Sequence, residues 1–348
     1  MATIPKVAIA CQGGGSHAAF AAGVLEQLLS GEFFGRFDLV ALSGTSGGAM
    51  CSALAWAGLL LGGPADAVRR LAGFWKDLEA RQGPDIVANA LGTWYARLPI
   101  NAEISPYLYP PIAEERLREL LGKHLPFASL PTEPERRAKP TLFIGATDVR
   151  TGDRVIFPGE TLDQDRLVAS AAVPPLYRAV AADGRMCWDG LFSSNPPVRE
   201  FTDLDLASRP DEIWVVQINP QYRRELPESM NEIIDRRNEL SGNLSLGQEL
   251  YFTTRVNELL AMDPTLAQRY KPIKIRVVQM HLDARDYPGP LDYASKLDRN
   301  PALIHALIRK GRERAAWFFD ERSEWPREGT VPHRSVYATS PSAVSSTS

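Results

Sequence analysis

With 348 residues, the chain is long for one compact domain and short for three. Its 44% hydrophobic and 23% charged residues are ordinary for a globular protein with a sizeable core. The formal net charge of −3 excludes a global pull toward nucleic acid or an anionic membrane, so any membrane contact has to be local and mostly apolar.

Lys6 to Cys11 reads as a first strand, ending at Gly13-Gly14-Gly15. Its apolar run is too short for a signal-peptide core, which points to a cytoplasmic chain, peripheral at a membrane at most. A helix is predicted from Ser16 to Leu29, with Phe20, Val24, Leu25 and Leu28 at helical spacing. Asp38 to Leu42 is a second strand, followed by a turn at Ser46 and a helix through Leu61. Leu54 to Leu61 is the most apolar stretch and is too short to span a bilayer. Pro64 opens a third helix that ends near Arg81. Strand and helix alternating through short turns predict a parallel sheet covered on both sides.

Gly83 to Ala113 breaks the rhythm, with Pro84, Pro99, Pro106, Pro110 and Pro111 among Trp94, Tyr95, Tyr107 and Tyr109. It is expected to be irregular and to cap a site, or else to pack as a loop on the core. Trp94, Tyr107 and Tyr109 are its candidate substrate-facing residues. The same segment, with Leu98 and Leu108, has the polar-tipped aromatics that suit a lipid–water boundary.

The alternation resumes with strands at Thr141 to Thr147 and Arg154 to Phe157, then a helix from Gln164 to Ala172 stopped by Pro174-Pro175. Met186 to Trp188 is a short strand before Asp189-Gly190, and Asp183-Gly184 reads as an ordinary turn. Ile213 to Ile218 and Ile273 to Val278 read as buried strands; Leu244 to Met262 and Pro301 to Phe319 read as helices. The tail from Gly329 to Ser348 has a disordered composition. Cys11, Cys51 and Cys187 lack metal-ligand spacing and are expected to be buried thiols in a reducing compartment. No metal or cofactor is expected.

Ser46 lies in Gly44-Thr45-Ser46-Gly47-Gly48, a G-x-S-x-G pattern between a strand and a helix. Gly44 and Gly48 suit either a plain strand-to-helix turn or a sharp turn that presents a nucleophile at a helix N-terminus. The three glycines Gly13, Gly14 and Gly15 form a nest of backbone N–H groups at another helix start. The residues that follow, Ser16, His17 and Ala18, break the dinucleotide pattern, and no Gly-Lys-Ser/Thr completes a P-loop. An oxyanion hole fits the nest better, and parallel neighbouring strands would put it beside Ser46. Of five histidines, only His281 follows a strand-like run closely enough to be weighed as a base. Asp189 is the better candidate, since burial can raise a carboxylate into a base's range; its other reading is a hairpin turn.

Gln12-Gly13-Gly14-Gly15, then G-x-S-x-G, then Asp189-Gly190-Leu191 resemble, in order and spacing, the patatin-like phospholipase family. Gly145 to Phe157, Ala169 to Tyr177 and Asn195-Pro196-Pro197 add to the likeness, which covers Lys6 to Ile218; a helix carrying Ala294-Ser295-Lys296 and the following Leu303 to Phe319 resemble C-terminal segments of bacterial members. The resemblance implies a three-layer α/β/α domain with a central, mostly parallel sheet. It also implies a Ser46–Asp189 dyad, an oxyanion loop at Gly13 to Gly15, and metal-free hydrolysis of lipid acyl esters. Three positions depart from the pattern. His17 stands where the family usually has Arg or Lys, Ala18 where it has Gly, and Leu191 ends the aspartate motif. A protonated His17 is one candidate to replace the missing cation, and a packing role is the other. An acyltransferase using the same acyl-serine, and a degenerate member that binds lipid or protein, are the alternatives. The expected organisation is one hydrolytic domain over 1–328, with its core at 6–218, the cap-like excursion near 83–113 and a helical part at 244–320. The tail follows at 329–348.

Overall fold

The computed structural model describes residues 4–97, 104–131, 140–223 and 225–318. The expected tail, and Leu98 in the aromatic segment, lie outside them. Among the described residues, eight strands form one sheet: β1 (Lys6–Cys11), β2 (Asp38–Thr45), β3 (Thr141–Asp148), β4 (Arg154–Pro158), β5 (Val180–Ala182), β6 (Arg185–Asp189), β7 (Glu212–Gln217) and β8 (Lys274–Gln279). The order is β5-β6-β3-β2-β1-β7-β8, with β4 also paired to β3. The run β3-β2-β1-β7-β8 is parallel, and β4, β5 and β6 pair antiparallel.

The centre of the sheet is buried on both faces, which is why its strands read as nearly unbroken apolar runs. Alternate residues of β1 serve different layers. Val7, Ile9 and Cys11 join the core built with α1 (Ala19–Leu28), α2 (Gly47–Leu61), α3 (Pro64–Leu78) and the C-terminal helix over Pro301–Phe318. Ala8 and Ala10 join a smaller core on the other face, with Phe201, Leu246 and Leu250. Helices on both faces of a mostly parallel sheet make the expected three-layer α/β/α architecture. All three cysteines are buried free thiols.

Several elements differ from the sequence expectation. Gly83–Ala96 is not irregular but a helix, α4. Pro84 sits in its first turn, where a missing N–H costs nothing. A further helix, α5 (Ile112–His124), follows the aromatic segment. Among the described residues, the other helices in chain order are α6 (Gln164–Ser170), α7 (Arg199–Asp203), α8 (Met230–Met262) and α9 (Pro301–Phe318). α8 starts well before Leu244, at a capping box in which Ser229 and Glu232 satisfy each other's backbone N–H groups. Ala294–Lys296 is a single 3₁₀ turn. Asp183 and Gly184, at φ 49° and 70°, make the expected tight turn between β5 and β6.

Candidate active site

Ser46 joins β2 to α2 at φ 56° and ψ −129°, a left-handed conformation that costs a non-glycine residue about 1–3 kcal/mol. Its N–H is held by the backbone carbonyl of Ser170 at 3.1 Å and by the Ser170 hydroxyl at 3.0 Å. A Cβ on Gly44 would lie 2.4 Å from the Gly48 carbonyl oxygen, and one on Gly48 would lie 2.2 Å from that of Cys11. The glycines of the motif are therefore demanded by how tightly the turn packs, and the serine alone carries the strain.

Asp189 reaches Ser46 through the edge of one strand. β2 and β3 are equally long but staggered, so β3 runs on past the end of β2. Ala41 to Thr45 of β2 pair with Thr141 to Gly145, and Asp189 of β6 pairs with Ala146, the next residue of β3. β4 covers the opposite edge along both stretches. So β6 ends where β2 ends, and Asp189 meets the Ser46 turn. The carboxyl is buried, accepts from the Leu191 N–H at 2.8 Å, and is faced by the Ser46 hydroxyl. Burial raises its pKa from 3.8 to about 7, against the downward pull of the Leu191 N–H and the Ser46 hydroxyl.

The glycine loop lies against the same turn, with room for no Cβ on Gly13, which would come 2.8 Å from the Ser46 Cβ. Gln12 anchors it: Oε1 accepts from the N–H groups of Ile218 and Asn219 at 2.8 Å each, and Nε2 donates to Gly242 O and Asn243 Oδ1. Gly13 departs from the expected donor role. Its N–H donates to Asn195 Oδ1 at 2.7 Å and is not open to a ligand. Among the described residues, no partner occupies the N–H groups of Gly14 and Gly15, nor that of Gly47 at the start of α2. Gly14, Gly15 and Gly47 all border the same cavity.

That cavity holds about 570 Å³, within the usual range for ligand sites. Ser46 and Asp189 open into it beside mostly apolar walls: Met50 and Phe74 from α2 and α3, Leu117 from α5, and Leu176 and Leu191 from connecting loops. One face of α4, with Ala88, Gly92 and Thr93, closes one side. Of the aromatic candidates, Tyr109 lines the cavity, and its hydroxyl donates to Pro175 O at 3.2 Å. Trp94 and Tyr107 lie outside it, about 60% exposed, so they pack neither on substrate space nor in the core. Among the described residues no histidine lines the cavity; His281 stands apart from it.

A family model described as patatin-like phospholipase matches residues 9–202, more than half of the chain. The chain belongs to the patatin-like phospholipase family. Among solved structures it is similar to VipD from Legionella pneumophila, at 13% identity over 90% of this chain and 66% of that one, with a TM-score of 0.41. It is also similar to the type III effector protein ExoU, at 12% identity over 89% of this chain and 54% of that one, with a TM-score of 0.32. No curated protein sequence matches it.

Where this chain departs from the patatin-like pattern, the structure gives physical reasons. His17 is buried, and its Nε2 shares a hydrogen bond of 2.8 Å with the Ser295 hydroxyl. Burial first, then the positive charge of Lys296, lowers its pKa to about 3. It is therefore neutral and packed, so of its two candidate roles the buried imidazole fits packing and not the replacement cation. Ala18 is fully buried against the start of α2, and Leu191 adds to the apolar wall. Sequence reasoning gave no role to Asn195, Gln12, Gly47 or Lys296. Asn195 lies in the familial Asn195-Pro196-Pro197 stretch, but nothing in the sequence ties it to Gly13.

Proposed function

We propose that this protein is a serine acyl-ester hydrolase that frees fatty acid from lipids through an acyl-enzyme on Ser46. The single observation that carries this reading is the buried Asp189 carboxyl facing the hydroxyl of a conformationally strained serine. Family membership supports the lipid as substrate class.

Asp189 takes the Ser46 proton as Oγ attacks the ester carbonyl. The N–H groups of Gly14, Gly15 and Gly47, with the N-terminus of α2 behind them, bear the charge that develops on the carbonyl oxygen. Asp189 then returns the proton to the departing alcohol, leaving acyl-Ser46. In the second half, Asp189 takes a proton from water as its oxygen adds to the acyl carbonyl; on collapse Asp189 returns that proton to the departing Ser46 Oγ, which frees the carboxylic acid and restores Ser46. A base with a pKa near 7 suits both directions of this transfer. The apolar walls take the acyl chain.

The substrate reaches the site from a lipid surface. Val87, Leu91 and Trp94 follow one another at helical spacing on the outer side of α4 and are all exposed. Among the described residues, no helix is long and apolar enough to cross a membrane. Contact through this patch is then peripheral.

A fluorophosphonate probe tests the core of the reading. Labelling of Ser46, abolished in Ser46→Ala and strongly slowed in Asp189→Asn, is expected. A folded protein that takes no label would be a lipid or protein binder instead. Comparing lipids before and after incubation, with and without added alcohol, separates release of free fatty acid from acyl transfer.

A further inference from the structure

We infer that Lys296 recognises an oxyanion carried on the alcohol side of the substrate, beside the ester that Ser46 attacks; this rests on the hydrolase reading above. The chemistry is that of a phosphodiester next to an acyl ester.

The position comes first. The Ala294–Lys296 turn is fastened to the glycine loop. A Cβ on Gly15 would lie 2.2 Å from the Lys296 carbonyl oxygen, and Ser295 holds His17. Ser46 packs at the other end of that loop, against Gly13. Three consecutive residues span at most about 10 Å. Ser46 and Lys296 line the same cavity, so an anion on Lys296 sits within a headgroup's reach of the scissile carbonyl.

The chemistry of the ammonium comes second. Its Nζ donates to Asn219 Oδ1 at 2.7 Å and to Asn238 Oδ1, both neutral. Among the described residues it forms no ion pair. The nearest carboxylates, Asp235 and Glu239, are already bonded to Arg223. The other cation on the cavity wall, Arg299, is paired with Asp85 at 2.6 Å. His17 is neutral. Lys296 is thus the unpaired cation among the described lining residues, with one of its three donors uncommitted. A half-buried charge without an ion-pair partner is costly, and a bound anion offsets that cost. Burial brings its pKa to about 8, with Asp235 and Glu239 raising it and Arg223 lowering it, so it is cationic at neutral pH.

The test compares phosphatidylglycerol with a diacylglycerol of the same acyl chains, in mixed micelles of one neutral detergent, using the full chain. Lys296→Met should lower the ratio of the two kcat/KM values about 10- to 100-fold, as expected for one charge-assisted contact. Lys296→Arg should restore most of it. In the unsubstituted protein the same ratio should fall as pH rises past about 8, which a packing role would not produce. An unchanged ratio, or equal loss on both lipids, overturns the inference. A short-chain diether analogue of phosphatidylglycerol reads the site without turnover: Lys296→Met should weaken its binding about tenfold or more. If no ester is cleaved but the diether shows this loss, the hydrolase reading fails and the anion site stands. If esters are cleaved and the diether binds both proteins equally, the reverse holds. Inhibition by free fatty acid that ignores Lys296 assigns the site to phosphate rather than to the carboxylate product; inhibition relieved in Lys296→Met overturns that assignment.

Discussion

The backbone N–H of Gly13 donates to the side-chain oxygen of Asn195 at 2.7 Å, which ties the loop after β1 to the segment that follows Asp189. Asn195 is itself fixed, through Nδ2 to Gly242 O and through its N–H to the Ser245 hydroxyl. It therefore sets where Gly14 and Gly15 point, at the wall of the same cavity. Asn195→Ala leaves the buried Gly13 N–H unpartnered, at about 1–3 kcal/mol in stability. It should also lower kcat on a short-chain ester about 10- to 100-fold with little change in KM. Asn195→Asp keeps the acceptor and should recover part of kcat. A loss of melting temperature with kcat intact would make Asn195 a structural tie only.

The raised pKa of Asp189 gives two opposite pH dependences. Turnover of a neutral soluble ester needs the carboxylate, so it should rise with pH through about 7 and then level. Stability runs the other way. The folded carboxyl, at about 7, holds its proton more tightly than the unfolded one at 3.8. The folded state is favoured most below pH 4 by this group, and loses that advantage as pH climbs through about 7. Asp189→Asn should therefore abolish turnover yet stabilise the protein at pH 8, by on the order of 1–4 kcal/mol. The gain should vanish near pH 4. Thermal melts of both proteins at the two pH values check this; equal melting at pH 8 would contradict the buried charge.

Much of this was readable along the chain. β1 and β2 are buried on both faces and lead into glycine-rich turns, so those turns announce themselves. The meeting of Ser46 and Asp189 does not, because it depends on β3 outrunning β2 and on β6 continuing along the freed edge. Gly13 looked like a donor because a sequence shows where N–H groups cluster, not which are already bonded. α4 is hidden when its prolines are counted together, although Pro84 falls where a helix tolerates one and Pro106 to Pro111 lie beyond its end. α8 carries too few apolar residues for a clear stripe, yet Ser229 and Glu232 signal its start. Lys296 stands in a stretch that resembles bacterial members, but it reaches the site through a turn far along the chain, and no local pattern ties it to Ser46.

Burial of His17 predicts the outcome of restoring a basic residue there. His17→Arg would place a charge in a site only 2% exposed, next to Lys296. It would also break the bond to Ser295. A destabilisation of about 3 kcal/mol or more is expected, with no gain in phospholipid turnover. Urea unfolding measures it. A His17→Arg protein of undiminished stability with faster phospholipid cleavage would show that the pocket can open for a cation.

The outer side of α4 predicts how activity depends on the form of the substrate. Leu91 and Trp94 are about 60% exposed, on the side away from Ala88, Gly92 and Thr93, which face the cavity. Inserting two such side chains into a lipid boundary contributes about 1.5–3 kcal/mol each when burial is complete. Leu91→Ala together with Trp94→Ala should therefore cut activity on vesicles tenfold or more. Activity on a soluble short-chain ester should stay within about twofold, since neither side chain touches the site. Tyr109 is the wrong partner for this pair, because its hydroxyl bonds to Pro175 O and its ring lines the cavity. Raising salt from about 0.05 to 0.5 M should leave the vesicle effect in place, as screening acts on charges and not on apolar contact. Unchanged melting temperature would exclude a packing defect. Equal loss on both substrates would make α4 part of the acyl-site wall and remove it from the lipid surface.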